Sequence, residues 1–175
     1  DAVLTRQPGG TEIGASIRHL LLSPETSGLA DRAEALLMAA DRAQHVAETI
    51  RPALDAGKDV ICDRYVSSSL AYQGAGRDLG IDAVLGLSEF AVDGVWPDVN
   101  VLLDVPVEVG LGRIDGAPDR LEKLGSEFHE RVRQTFLDLA ATTPDAWIVI
   151  DATQPVEMVA KQLDVALAER FGWEL

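Results

Sequence analysis

Residues 55–69 read DAGKDVICDRYVSSS, and this stretch decides the fold class. Asp55-Ala56-Gly57 has the composition that closes a helix, and Asp59 to Cys62 is a compact apolar run of the kind found in buried strands. Asp63-Arg64-Tyr65 follows at the carboxyl end of that strand, and the serines after it lead into another helical stretch. Helix, strand and helix in direct succession form the repeating unit of a parallel sheet.

The same alternation extends in both directions. Upstream, Asp1 to Thr5 is a short β-branched strand broken by the Pro8-Gly9-Gly10 turn, and Thr11 is a good N-cap for a helix carrying Ile13, Ile17, Leu20 and Leu21 to about Leu22. After a loop over 23–29, Ala33, Leu36, Leu37, Ala40, Val46 and Ile50 recur at helical spacing. They predict the longest helix, from Ala30 to about Leu54, with Pro52 marking a kink near its end. Downstream, the pattern predicts a helix over Ile81 to Val92, a strand over Val99 to Val105 and a short helix over Val107 to Ile114. A loop at Asp115-Gly116-Ala117-Pro118 follows, then an amphipathic helix over Glu127 to Ala141, a strand over Trp147 to Asp151 and a last helix from about Pro155 to Arg170. The expected fold is therefore α/β: three layers, with a parallel sheet covered by helices on both faces, in a single domain spanning 1–175. In such folds ligands sit at the carboxyl ends of the strands.

Composition narrows the function classes. The longest unbroken apolar run, Ala35 to Ala40, is far short of the roughly 18–20 residues that cross a bilayer, so no membrane partner is expected. A single cysteine, Cys62, allows no internal disulfide and no cysteine metal cluster, which fits a cytoplasmic protein. The formal net charge of −14 disfavours nucleic acid polymers, whose binding requires many phosphates to be neutralised. The charge is uneven, however. Residues 1–77 hold seven Arg and one Lys against ten carboxylates, while the remainder holds seven basic residues against 19 acidic ones. Arginine, whose planar fork suits phosphate, makes up 12 of the 15 basic residues, so a small phosphorylated ligand is compatible with this composition.

Candidate chemistry clusters at strand ends. Asp63 stands where a P-loop enzyme places a carboxylate toward Mg²⁺, and Arg64 beside it can reach a phosphate; the bland alternative is an ion pair that anchors a loop. Ser67, Ser68 and Ser69 are expected to supply at least one helix cap. Tyr72 and Gln73 lie one turn further on, and an amide that both donates and accepts suits a nucleobase edge. Met38 and Arg42 share a helix face at i, i+4 spacing, either as base contacts or as a core methionine beside a solvated arginine. Arg18 reads equally as a surface residue. Pro8-Gly9-Gly10-Thr11 brings backbone amides to a helix start, a natural anion site but also an ordinary turn. His19, His45 and His129 lack metal-ligand spacing and read as structural or solvated.

Taken in order, several segments resemble bacterial thymidylate kinases along the whole chain: Thr5 to Thr11 (TRQPGGT), Leu36 to His45 (LLMAADRAQH), Asp63-Arg64-Tyr65 with Ser68 to Gly74 (SSLAYQG), Trp96-Pro97-Asp98, Asp104-Val105-Pro106, Asp119-Arg120, and Phe128 to Arg133 (FHERVR). The resemblance implies a P-loop nucleoside monophosphate kinase fold and transfer of the γ-phosphoryl group of ATP to dTMP with Mg²⁺, in a cytoplasmic homodimer. It implies that Arg64, helped by Arg18, holds the dTMP phosphate and that Asp63 organises the metal. Arg42 and Gln73 would meet the thymine edge with Met38 across the base. Pro8 and Ser69 would lie near the nucleotide, and Tyr72 would crowd the place of a ribose 2′-hydroxyl. Arg113 to Gly125 resembles the lid over ATP, with Arg113 and Arg120 as the catalytic candidates, and the loop with Thr153 and Gln154 resembles the adenine side.

Four departures accompany the resemblance. Met38 stands where the family usually has an aromatic ring, Gln7 where it commonly has Glu, and the lid is short with few basic residues. The sequence also contains no G-x-x-x-x-G-K-[ST]. The family opens with a strand, that phosphate loop and a helix, whereas this chain opens at the equivalent of the second strand. The expectation is thus a fold lacking its first strand, a chain nearly inactive alone and an upstream loop in the full reading frame. The alternative is a non-catalytic nucleotide-binding or dimerisation protein that has lost the loop.

Overall fold

The computed structural model describes residues 1–114 and 116–173; Asp115, within the expected lid, and the last two residues lie outside the described residues. Strand β1 (Ala2–Arg6) leads through the turn at Pro8 to helix α1 (Glu12–Leu22). The Thr11 hydroxyl accepts from the Gly14 amide at 2.9 Å and caps α1, as its sequence predicts. Helix α2 (Asp31–His45) runs on through a π-helical stretch, Val46–Ile50, and a last α-helical turn, Arg51–Asp55, so the whole expected run is helical with Pro52 in its final segment. Strand β2 (Asp59–Asp63) is followed by α3 (Val66–Ser69), which widens into a π-helical stretch over Leu70–Gly76. Then come α4 (Ile81–Val92), β3 (Asn100–Asp104), α5 (Val107–Leu111), α6 (Ser126–Thr142), β4 (Trp147–Asp151) and α7 (Val156–Phe171).

All strand pairing is parallel, but the sheet differs from the continuous layer expected. Among the described residues β1 pairs only with β2, in register Ala2 with Asp59 to Arg6 with Asp63, and β3 only with β4, in register Asn100 with Trp147 to Asp104 with Asp151. Among the described residues no strand joins β2 to β3. Coverage on both faces, usual for parallel sheets, is also incomplete. Leu4 and its register partner Ile61 are 77% and 59% exposed, and Leu103 is 49% exposed.

The buried apolar clusters lie chiefly among helices. Val66, Leu70, Val84 and Val92 pack α3 and its continuation against α4. Leu21, Met38 and Leu121 join α1, α2 and the segment before α6, while Ala71, Phe128 and Val132 seat α6 on the π-helical stretch. Tyr72 packs against both of the latter clusters. Gly76 permits the close approach of α6, because a Cβ there would come within 2.6 Å of the Phe128 ring. No described helix is long and apolar enough to cross a membrane.

Candidate nucleotide site

The carboxyl ends of β1 and β2 converge on a buried polar group centred on Arg42. The Gln7 amide nitrogen donates to the Asp63 carbonyl at 2.8 Å, which extends the ladder just beyond the strands and fixes Gln7 opposite the start of the Asp63-Arg64 segment. The Gln7 side chain accepts from Arg42 Nε at 2.7 Å. Arg42 is 2% exposed, so the solvated alternative is corrected. Nη1 reaches Ser88 Oγ at 3.1 Å with one of its two N–H groups, Nη2 reaches Ser69 Oγ at 2.9 Å and the Tyr65 carbonyl at 3.3 Å, and the guanidinium lies 5.6 Å from the Tyr65 ring centre. No carboxylate contacts this buried cation among the described residues. Desolvation therefore lowers its pKa to about 10, against the opposing pull of Tyr65 and Asp41. The same burial pushes the Tyr65 phenol up to about 12.

The Pro8-Gly9-Gly10 turn rests on α2. The Gly9 amide donates to Asp41 Oδ1 at 2.9 Å, and Arg18 Nη1 donates to the Pro8 carbonyl at 2.9 Å. Gly9 has φ of +100°, and a Cβ there would come within 2.8 Å of the Arg18 side chain; a Cβ on Gly10 would collide with the His45 ring. Gly9 thus supplies the positive φ and leaves room for Arg18 of α1, and Gly10 lets the turn seat on α2. Asp41 is fully buried and its Oδ2 has no partner among the described residues, so burial raises its pKa despite the Gly9 amide and the nearby arginines. His45 is also fully buried, with Nε2 2.7 Å from Thr5 Oγ1 and Nδ1 3.4 Å from Gln7 Nε2. Desolvation and Arg42 hold it below the usual imidazole range. It is structural, one of the two readings its spacing allowed.

Arg64 is exposed and has φ of +69°, a conformation that costs a non-glycine residue about 1–3 kcal/mol and concentrates at functional sites. It makes no ion pair with Asp63 among the described residues. Its guanidinium instead lies 5.3 Å from the Tyr72 ring centre, with Nη1 3.4 Å from the Tyr72 hydroxyl. Among the described residues none of the serines beside it caps a helix, contrary to expectation. The N-cap of α3 is Tyr65 with no side-chain bond, and Ser69 is buried against Arg42. Met38 belongs to the apolar cluster with Leu21 and Leu121, with Tyr72 packed against that cluster.

Gln73 and Arg120 meet at a residue the sequence did not single out. Glu34 is fully buried on α2; its Oε1 accepts from Gln73 Nε2 at 2.7 Å, and its Oε2 from Arg77 at 2.9 Å and Arg120 at 2.6 Å. Burial pushes the carboxyl pKa up, but the bonds from Arg77, Gln73 and Arg120 together bring it below the ordinary value. Arg120 also donates to the Leu21 carbonyl at 2.8 Å and is 9% exposed, so it is turned inward instead of toward a phosphate. The signal that would have found Glu34 is its spacing: 34, 38 and 42 follow one helix face.

The remaining candidates form a second group. Arg113 Nη1 donates to the Ala152 carbonyl at 2.8 Å, joining the lid's start to the loop after β4. At the end of β4 Asp151 Oδ1 accepts from the Thr153 hydroxyl and amide at 2.6 and 2.9 Å, and Gln154 Nε2 lies 3.4 Å from Asp151 Oδ2. These bonds hold the Asp151 pKa low. Asp63 is exposed at the end of β2, and no group of three potential metal ligands occurs among the described residues.

The sequence profile of the family described as Thymidylate kinase matches residues 1–163. The chain is 50% identical to the thymidylate kinase of Leuconostoc citreum (strain KM20) over 174 residues, covering 97% of this chain and 81% of that protein. It is 51% identical to the thymidylate kinase of Bifidobacterium longum (strain DJO10A) over 170 residues, covering 95% and 82%. With the thymidylate kinase of Limosilactobacillus fermentum (strain NBRC 3956 / LMG 18251) the identity is 44% over 174 residues, covering 97% and 81%.

Proposed function

The chain belongs to the thymidylate kinase family and phosphorylates dTMP to dTDP, and on that premise we propose that the acceptor lies across Arg64, Tyr72 and the Arg42–Gln73 end of the buried polar group. The family uses ATP as donor. One observation carries the assignment. Arg64, a strained and exposed cation, lies against Tyr72, so the group suited to a phosphate and the ring suited to a sugar are as close as phosphate and sugar are in one nucleotide.

Arg64 holds the acceptor phosphate, and Arg18, tied to the Pro8 carbonyl, adds positive charge from α1. Arg42 donates its remaining N–H to a thymine carbonyl, while Gln73 meets the polar edge. Met38, Pro8 and Ser69 border the nucleoside. Arg113 and the loop bearing Thr153 and Gln154 receive ATP, their mutual hydrogen bond placing lid and loop together. Arg120 anchors the lid to α2 through Glu34.

Asp63 suits Mg²⁺ as one ligand only. It is a single hard carboxylate with exposure, which fits an ion that keeps several waters and takes its other ligands from phosphates. When bound there, the ion supplies neutralisation of phosphate charge. The chain's own residues act by alignment: an oxygen of the dTMP phosphate attacks the γ-phosphorus of ATP, the bond to ADP breaks, and no side chain becomes covalently linked. The setting is cytoplasmic.

Arg64→Ala tests the assignment. Loss of one donor to the attacking acceptor phosphate predicts a fall of about 100-fold in dTMP turnover in a steady-state assay. A rate near that of the wild type removes Arg64 from the site.

A further inference from the structure

Gln73 is 1% exposed, and its one side-chain hydrogen bond among the described residues runs from Nε2 to Glu34 Oε1. An ionised carboxylate can only accept, so the end of the amide that meets it must be the NH₂. The carbonyl oxygen, at the opposite end, receives no protein donor among the described residues. Glu34 is itself fixed. It has no exposure, and Arg77 and Arg120 both donate to its second oxygen, with Arg77 further held by Asp31 at 3.3 Å. Two guanidinium groups on one buried carboxylate keep it ionised, which removes any O–H that could donate to a reversed Gln73 amide.

We propose that Glu34 is a positioning residue for acceptor specificity: by capturing the Gln73 NH₂ it leaves the amide oxygen for the base, and so selects pyrimidines that carry N3–H over those with a bare N3. The proposal rests on the reading that Gln73 faces the base. Thymine and uracil present N3–H to that oxygen and gain a hydrogen bond. Cytosine presents a lone pair to a lone pair, leaving two acceptors opposed in a site from which water is largely excluded, a mismatch that polar sites reject strongly. A glutamine free to turn would serve either base equally. Arg120 thereby acquires a second consequence, since the residue that anchors the lid also maintains the charge on the group that orients the base reader.

Calorimetric titration of dTMP, dUMP and dCMP into the wild type, Glu34→Gln and Glu34→Gln/Arg77→Met tests this. The double variant removes one charge of each sign, so the net charge of the group is that of the wild type, and Arg120 keeps its bond to the Leu21 carbonyl. In both variants the preference for dTMP over dCMP is expected to narrow at least about tenfold, while dTMP relative to dUMP, which both carry N3–H, stays as it was. A merely structural role moves all three affinities together. Failure of the wild type to bind dTMP overturns the acceptor-site reading itself; dTMP binding with an unchanged dTMP-to-dCMP ratio in the folded variants overturns only the role of Glu34. Proton exchange at the Gln73 side-chain amide in the wild type decides the matter without a variant. Protection present before and after dTMP is expected, and protection that appears only with dTMP overturns the proposal.

Discussion

Tyr72 shows how one side chain acquires its position from several elements. Its ring meets Phe128 edge-on at 6.0 Å and Phe136 at 6.5 Å, both from α6, while Arg64 lies against it from the end of β2. An aromatic residue wedged in this way can exclude a substituent by volume, because moving it would break contacts to three partners. Tyr72→Ala is therefore expected to relax the preference for deoxyribose. The ratio of dUMP to UMP turnover, which isolates the 2′-hydroxyl from the base methyl, should narrow by about tenfold, in the range set by small steric differences in a pocket. An unchanged ratio, with dUMP turnover itself measurable, counts against steric selection by this ring. Arg42 marks where residue-level inference from sequence reached its limit. Its i, i+4 relation to Met38 was legible, but its burial was not. Burial depends on Gln7, Ser69 and Ser88 arriving from three distant segments, and no local pattern encodes that meeting.

The widened helix over Leu70–Gly76 carries both Tyr72 and Gln73, so its seating on α6 governs the site. Gly76→Ala places a methyl 2.6 Å from Phe128 Cε2, against a ring already packed in a cluster, and overpacking of this kind typically costs about 1–3 kcal/mol. Chemical denaturation should show a lower midpoint with an unchanged slope; an unaltered midpoint would mean that α6 shifts without penalty. Strand and helix positions were largely legible. The spans Ile81–Val92 and Trp147–Asp151 are as predicted, and Thr11 caps α1, because apolar periodicity and capping chemistry are local. The π-helical stretches at 46–50 and 70–76 were not, since a change in helical winding leaves the apolar pattern nearly intact. Pairing of all strands into one sheet was likewise an inference from alternation alone. Alternation predicts parallel neighbours, and both observed pairs are parallel, but it does not specify which strands hydrogen-bond.

At the scale of the whole molecule, charge and exposed apolar surface act in opposition. A formal charge of −14 makes two copies repel, so self-association requires a face with little charge on it. Helix α2 and its continuation offer one. Leu36 is 56% exposed, Ala40 and Ala47 are exposed four and eleven positions later, and Leu54 is 44% exposed near the end, a set of small and branched apolar side chains left open along one continuous helical run. Small residues allow two such helices to approach closely about a twofold axis, where the same face can meet itself. We therefore propose a homodimer through this face. The expected outcome is a species of twice the chain mass in sedimentation equilibrium at micromolar concentration, converted to the single-chain mass by Leu36→Arg with the circular dichroism spectrum unchanged. Because Leu36 points away from Arg42 and Glu34, which are buried on the same helix, the charge introduced by Leu36→Arg opposes association without entering the polar group. A wild type that sediments at the single-chain mass, or a Leu36→Arg protein that still dimerises, shows that this face does not join two copies.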